Sequence, residues 1–448
     1  MTTIHQRDNC SPRSRFCASE LLTLWHDSPE LDRQPLDRIT ATYFRGHHEL
    51  NSSERRWIQS AIYGTVRLLI RQKRLLALLG EAVSCTNLIE LWRREEQLDT
   101  ATDTEFAQAL TQLPQRDNPR GFIRETLSFP DGMAAALEDL PGIDPIETAQ
   151  SLNSQAPTTL RVNTLLSDIA RVRALLPETK PVDFSPWGLE LPKRVNIHEL
   201  AGFKEGLFEL QEEASQLAAL MTDAQPGMRV VDVGAGAGGK TLALAALMNN
   251  RGPITAIDHS YARLNELRKR AGKAKVTNVT LCTVNATTEG LWAGNNRVSG
   301  KLLKLKRTAD VVLIDVPCTG SGTMRRSPDC KWRVVDMAQM TGVQLSLLKQ
   351  AAELATVGGS VCYVTCAFEP EQNEDIVEAF LRSKEGADFA VLPVANGLLT
   401  AIGRAAEYAG TSNPQIDISK LICGPYLRTW PQYGGLDAFF GARLVRKK

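Results

Sequence analysis

The chain has almost no excess charge, few histidines and no long apolar run, and each scarcity removes a class of function. Its 52 Lys+Arg against 51 Asp+Glu leave a formal net charge of +1, so no global field draws it to nucleic acid, and such a partner needs a locally basic face. Six histidines are scattered and nine cysteines include no C-x-x-C pair, which argues against a disulfide framework and a structural zinc site. Reduced thiols and no metal are expected. No run approaches a membrane span, and the polar first twenty residues hold no apolar signal-peptide core, so a cytoplasmic protein without membrane contact is expected.

What is present suits two or three ordinary domains: 448 residues, 43% of them apolar. Basic residues gather at Arg67 to Arg74, Arg263 to Lys275, Arg297 to Arg307, Arg325 to Arg333 and in the closing RLVRKK. One such cluster alone reads as a solvated face; several near a cofactor corner carry more weight.

Residues 1–150 read as all-helical. Asn51 with Glu54 three residues on predicts a capping box, and Ile58, Ile62, Thr65 and Leu69 recur at helical spacing behind it, with Trp57 and Ala61 alongside. Residues 151–215 change texture: TTLRVNTL predicts a strand, SDIARVRALL a helix, GLELP and VNIHEL short extended pieces, together a small α+β module. From 216 to 448 strands and helices alternate as in a doubly wound, mostly parallel α/β sheet, whose ligands bind outside the carboxyl ends of the strands.

The stretch VVDVGAGAGGKTLAL, Val230 to Leu244, is a strand, a glycine turn and a helix start, which makes a cofactor-binding corner. Three patterns fit it. Gly234, Gly236 and Gly239 satisfy a dinucleotide fingerprint with Asp258 as ribose acid; Gly234, Gly239, Lys240 and Thr241 satisfy a phosphate loop with Asp315 as magnesium acid; and Asp232 with Asp258 suits a nucleoside methyl donor. Cys318 in DVPCTGSGT and Cys366 in YVTCAFEPEQNE tip the balance. Each follows a predicted strand end in a loop, beside Asp315, where a packing role is less expected than for Cys282, Cys330 and Cys362. A thiolate there can add to carbon 6 of cytosine and turn carbon 5 into a methyl acceptor.

These stretches, with LRVNTL, ELQEEASQL, RRSPDCKW and DAFFGARL, resemble the RNA cytosine-5 methyltransferases of the Sun (Fmu, RsmB) class, and RRSPDCKW is similar to its bacterial small-subunit ribosomal RNA branch. The resemblance implies a NusB-like RNA-binding domain over 1–150, a module allied to the RNA-recognition fold over 151–215, and a Rossmann-like S-adenosylmethionine domain over 216–448 acting on RNA; a monomer is expected. It implies Cys366 as nucleophile, Cys318 as the aid to product release and Asp315 between methyl donor and base. Cofactor contacts are expected from Gly234, Ala235, Gly236, Ala237, Gly238, Gly239, Lys240, Asp258, Asn285 and Asp315. Arg325, Arg326 and Lys331, beside the cysteine loop, are candidate phosphate contacts. The sequence departs from the class in four places: GAGAGGKT stands for C-A-A-P-G-G-K-T, Asn285 for an aspartate, Ala367 for a serine, and residues 286–308 form a basic insertion. A non-catalytic RNA-binding factor on the same fold is the alternative of a different class.

Overall fold

The computed structural model describes residues 11–27, 35–97, 103–193, 195–284, 303–411 and 416–448. It divides into two compact units, Met1–Gln155 with Thr323–Val335, and Ala156–Gly322 with Asp336–Lys448.

The first unit is helical. Asn51 caps the helix Ser52–Arg67 with the full box: its side chain accepts from Ser53 and Glu54 N–H, and Glu54 returns a bond to the Asn51 N–H at 3.0 Å. Behind the cap, Trp57, Ile58, Ala61, Ile62, Thr65 and Val66 are buried on one stripe. The helical segment expected to run on from there breaks at Leu68 and resumes as Leu69–Leu78. Segment 323–335 is part of this unit's interior: Trp332 Nε1 donates to Val66 O at 2.8 Å, and Asp329 accepts from Leu36 N–H at 3.2 Å.

The second unit holds two sheets. The smaller pairs β1 (Thr158–Val162), β2 (Lys180–Pro181), β3 (Gly188–Leu191) and β4 (Phe208–Leu210) antiparallel in the order β2-β3-β1-β4. VNIHEL is not extended as expected: Asn196 caps a 3₁₀ turn at Ile197–Glu199, because its side chain offers the backbone a local acceptor that a strand would forgo.

The larger sheet contains β5 (Val230–Val233), β6 (Ile254–Asp258), β7 (Val279–Thr283), β8 (Ala309–Asp315) and β9 (Ala355–Thr365) in the parallel order β7-β6-β5-β8-β9. The apolar runs of β5, β6, β8 and β9 are buried from both faces, as parallel strands inside a sheet require, whereas the edge strand β7 buries only Cys282. Four further strands, β10 (Phe389–Leu392), β11 (Ile422–Cys423), β12 (Tyr426–Arg428) and β13 (Phe440–Arg446), extend it antiparallel beyond β9. The chain winds outward from β5 to β6 and β7, then returns to β8 and β9 on the other side. That reversal between β5 and β8 opens the crevice where such sheets take ligands. Among the described residues no helix is long and apolar enough to cross a membrane.

Candidate active site

Four strand ends deliver the candidate residues to that crevice. β5 runs into the turn Gly234 to Gly238, where Gly234, Gly236 and Gly238 hold φ of 79°, 56° and 89°, and the helix Gly239–Leu247 starts from Gly238. The left-handed φ alone favours glycine, and at Gly234 a Cβ would be driven into the Asp315 carbonyl oxygen. The turn is therefore a bare cradle of backbone. Asp258, the last residue of β6, is buried and accepts from Gly236 N–H at 2.8 Å and Ser260 N–H at 2.7 Å, so it braces the cradle's rim.

Beneath the cradle lies Asp232, fully buried, with Oδ2 accepting from Thr241 Oγ1 at 2.5 Å and Oδ1 without a partner among the described residues. Burial, with Asp315 and Asp258 nearby, pushes its carboxyl up to about 6, against the partial relief given by Thr241 and Lys240. Lys240, in the first turn of the helix, crosses to the end of β8 and pairs with Asp315 Oδ2 at 2.8 Å. Burial works against its ammonium, yet Asp315, Cys366 and Asp232 outweigh it and hold its pKa above the ordinary value. Asp315 Oδ1 makes no hydrogen bond among the described residues. The phosphate-loop pattern thus loses its lysine to an internal carboxylate.

Cys318 and Cys366, three residues past β8 and one past β9, meet with their sulfurs 3.3 Å apart. Two thiols this close cannot both ionise. The hydrogen bond from Cys366 holds the Cys318 thiol below its ordinary value, while that bond and burial hold Cys366 well above. A nearby Asp315 disfavours charge on either, and Lys240 favours it on Cys366.

A buried polar network fixes the two cysteine loops against each other. Glu369 Oε2 accepts from Ser321 Oγ at 2.7 Å, Gln372 Nε2 at 2.9 Å and Thr319 Oγ1 at 3.1 Å. Gln372 Oε1 accepts from Thr319 N–H at 3.0 Å and Gln344 Nε2 at 3.1 Å, and Gly322 N–H donates to Cys366 O at 3.0 Å. Burial raises the Glu369 pKa against its hydroxyl donors. Glu369→Ala leaves three buried donors without their acceptor, and we expect it to lower unfolding stability by about 2–4 kcal/mol in urea titration. Unchanged stability would show the network to be dispensable. Sequence reading missed Glu369, whose only signal is its place three residues after Cys366.

Of the remaining expected residues, Ala235 and Ala237 lie within the cradle, and Asn285 with most of the insertion 286–308 falls outside the described residues. Arg325 and Lys331, read from sequence as phosphate contacts, are buried inside the helical unit. Arg325 donates to Ser154 Oγ and Gln155 O, and the Lys331 ammonium to Arg67 O, Ser128 O and Asn153 Oδ1. Burial, with Arg67 adding to it, pushes Lys331 well below its ordinary pKa. Arg326 is half-buried. Cys282, Cys330 and Cys362 are buried, and among the described residues no group of three or more His, Cys, Asp or Glu is arranged to hold a metal.

Residues 219–445 match the family described as 16S rRNA methyltransferase RsmB/F. A probable ribosomal RNA small subunit methyltransferase B from Synechocystis sp. is 32% identical over 277 residues, 60% of each chain. The match spans about 60% of the length of this and the other first curated relatives. Among solved structures, a methyltransferase homologue from Pyrococcus horikoshii is 27% identical with a TM-score of 0.56, over 75% of this chain and 100% of that one. PH0851, 22% identical, shares the fold over 97% of this chain and 99% of its own with a TM-score of 0.70.

Proposed function

The chain belongs to the RsmB/F family of 16S rRNA methyltransferases, and we propose accordingly that it methylates carbon 5 of a cytosine in small-subunit ribosomal RNA through a covalent adduct on Cys366. The observation that carries this reading is the pair of thiols 3.3 Å apart at neighbouring strand ends, beside the Lys240–Asp315 ion pair.

The cradle fits S-adenosylmethionine. Its glycine turn, positions 234 to 239, leaves room for a ligand against the backbone, Asp258 offers lone pairs to ribose hydroxyls, and the orphaned Asp232 Oδ1 suits an ammonium donor. Bound there, S-adenosylmethionine supplies an electrophilic methyl group to the activated base. The rest of the chemistry falls to the chain. A cytidine unstacked into the crevice presents carbon 6 to Cys366, whose sulfur forms the sulfur–carbon bond as its proton passes to N3 of the base. Asp315, its Oδ1 uncommitted, accepts from the base's amidine edge and favours protonation at N3, so that the adduct is a neutral enamine nucleophilic at carbon 5. Lys240 holds Asp315 in place through their 2.8 Å pair and favours charge on Cys366. Cys318, 3.3 Å from Cys366 and the more readily ionised of the two, takes the carbon 5 proton as a thiolate while the sulfur–carbon bond breaks, and Cys366 leaves with the electron pair and recovers its proton from N3 of the product.

RNA recognition falls to the other parts. The helical unit is assigned as a NusB-like RNA-binding domain. The order β2-β3-β1-β4 supports assigning the small sheet to the RNA-recognition type. Arg326 is kept for a phosphate.

Incubation with labelled S-adenosylmethionine and unmethylated small-subunit ribosomal RNA, followed by nucleoside analysis, tests the reading. 5-Methylcytidine is the expected product. A methyl group on another nucleoside, or none despite cofactor binding, overturns it. The Asp232 assignment has its own signature: cofactor affinity should rise with pH through about 6 and level off above, because only the ionised carboxylate pairs with the ammonium. Asp232→Asn should flatten that profile. In the unliganded protein the sign is opposite: the folded state holds the Asp232 proton more tightly than the unfolded chain, so this contribution to stability is present below 3.8 and is lost as pH rises through about 6.

A further inference from the structure

A second charged group in the catalytic unit has no role in the scheme above. Arg161, on β1, is 1% exposed, and its single hydrogen bond among the described residues runs from Nε to Gln211 Oε1 at 2.7 Å. Nη1 is closed off from solvent and donates to nothing among the described residues. The guanidinium lies over the Trp187 ring, 5.5 Å from its centroid, which fixes its plane without satisfying its protons. Glu209 faces it across the β1–β4 register without a hydrogen bond between them: Oε2 accepts from Arg270 at 2.9 Å, and Oε1, which accepts no hydrogen bond among the described residues, lies 3.4 Å from the Lys273 ammonium. Three cations thus share one carboxylate, an excess of two positive charges. Burial, offset in part by Glu209, lowers the Arg161 pKa to about 10, so the group remains charged at neutral pH.

A buried guanidinium with open donors is unfavourable unless something pairs with it. Its position indicates what does. Gln211 Nε2 stands 3.8 Å from where a Gly239 Cβ would lie, and Arg270 Nη1 donates to Ala237 O at 2.7 Å. The cluster therefore backs onto the glycine turn and the N-terminus of the helix Gly239–Leu247, which has no side-chain cap among the described residues and also favours negative charge. Trp187 and Gln211 hold the fork, and two cations set the field.

We propose that Arg161 binds an oxyanion carried by a ligand of this corner, either the amino-acid carboxylate of the cofactor or a phosphodiester of the RNA. The inference rests on the methyltransferase reading only for the identity of those two ligands. Arg161→Gln and Arg161→Lys are compared with the full-length wild type for binding of S-adenosylhomocysteine and of small-subunit ribosomal RNA across a salt series. If the carboxylate is the partner, Arg161→Gln weakens S-adenosylhomocysteine by at least about tenfold, as expected for losing a charge-assisted hydrogen bond. A decarboxylated analogue then binds both proteins alike. If phosphate is the partner, RNA affinity falls and the slope of log affinity against log salt shrinks by about one. Partial rescue by Arg161→Lys is expected in either arm, since lysine restores the charge without the fork. Unchanged affinity for both ligands in a folded Arg161→Gln protein overturns the proposal. Should that variant not fold, stabilisation of the wild type by inorganic phosphate over chloride at equal ionic strength is the expected result, and its absence overturns the proposal equally. A wild type that binds neither ligand overturns the functional reading instead, which keeps the two failures apart.

Discussion

Cys366→Ala is expected to lower methyl transfer by at least about a thousandfold while leaving S-adenosylhomocysteine binding intact, because the substitution removes the attacking sulfur and nothing from the cradle. Cys318→Ala should behave differently. The adduct still forms, but the partner 3.3 Å away that would take the carbon 5 proton is gone, so an RNA–protein species should survive denaturing gels. A further readout separates the two thiols. The hydrogen bond to Cys318 is the largest influence holding Cys366 above its ordinary pKa. Its removal in Cys318→Ala should move Cys366 alkylation by iodoacetamide to lower pH. Equal, adduct-free inactivity of both variants, with an unmoved alkylation profile, would undo this division of labour.

Lys240→Met ranks second in expected effect. It deletes the ammonium 2.8 Å from Asp315 and leaves Asp315, Asp232 and Asp258 as neighbouring carboxylates without their cation. Asp315 then loses the partner that fixes its carboxylate and orients the base less well, for an expected fall in kcat of about 10²–10³, the order expected for losing one preorganised electrostatic contact. The inflection in cofactor affinity should also move above its wild-type position near pH 6, because Lys240 lowers the Asp232 pKa. Single-turnover methyl transfer together with a pH series of cofactor binding checks both. A variant with wild-type kcat would remove Lys240 from the chemistry. Binding of ATP that disappears in the same variant would restore the phosphate-loop reading, in which the lysine is free to meet a phosphate.

The glycine turn after β5 and the meeting of the two cysteines were legible in the sequence because strand-helix alternation has a strong local signature and ligands of such sheets gather at strand ends. The same holds for the Asn51–Glu54 box, a contact between residues three apart. What could not be read depends on distant partners. RRSPDCKW looks like a solvated basic loop, since lysine is seldom buried. Lys331 is nevertheless interior, because backbone carbonyls and Asn153 converge on its ammonium from segments far along the chain. Arg161 sits in LRVNTL, which reads as an ordinary strand; only the pairing of β1 with β4 reveals that the nearby carboxylate is already engaged. The antiparallel strands beyond β9 likewise take their place from pairing with one another rather than from local pattern.

The helical unit is discontinuous in sequence, since Thr323–Val335 belongs to it although both flanking stretches belong to the other unit. No single cut of the chain therefore separates the two. A fragment begun at Ala156 would carry a short loop whose Lys331, Trp332 and Asp329 have lost the acceptors and donor that Arg67, Asn153, Val66 and Leu36 provide. In evolutionary terms the helical part is not a detachable module that gene fusion could exchange whole: a replacement must accept thirteen residues supplied from the middle of its neighbour.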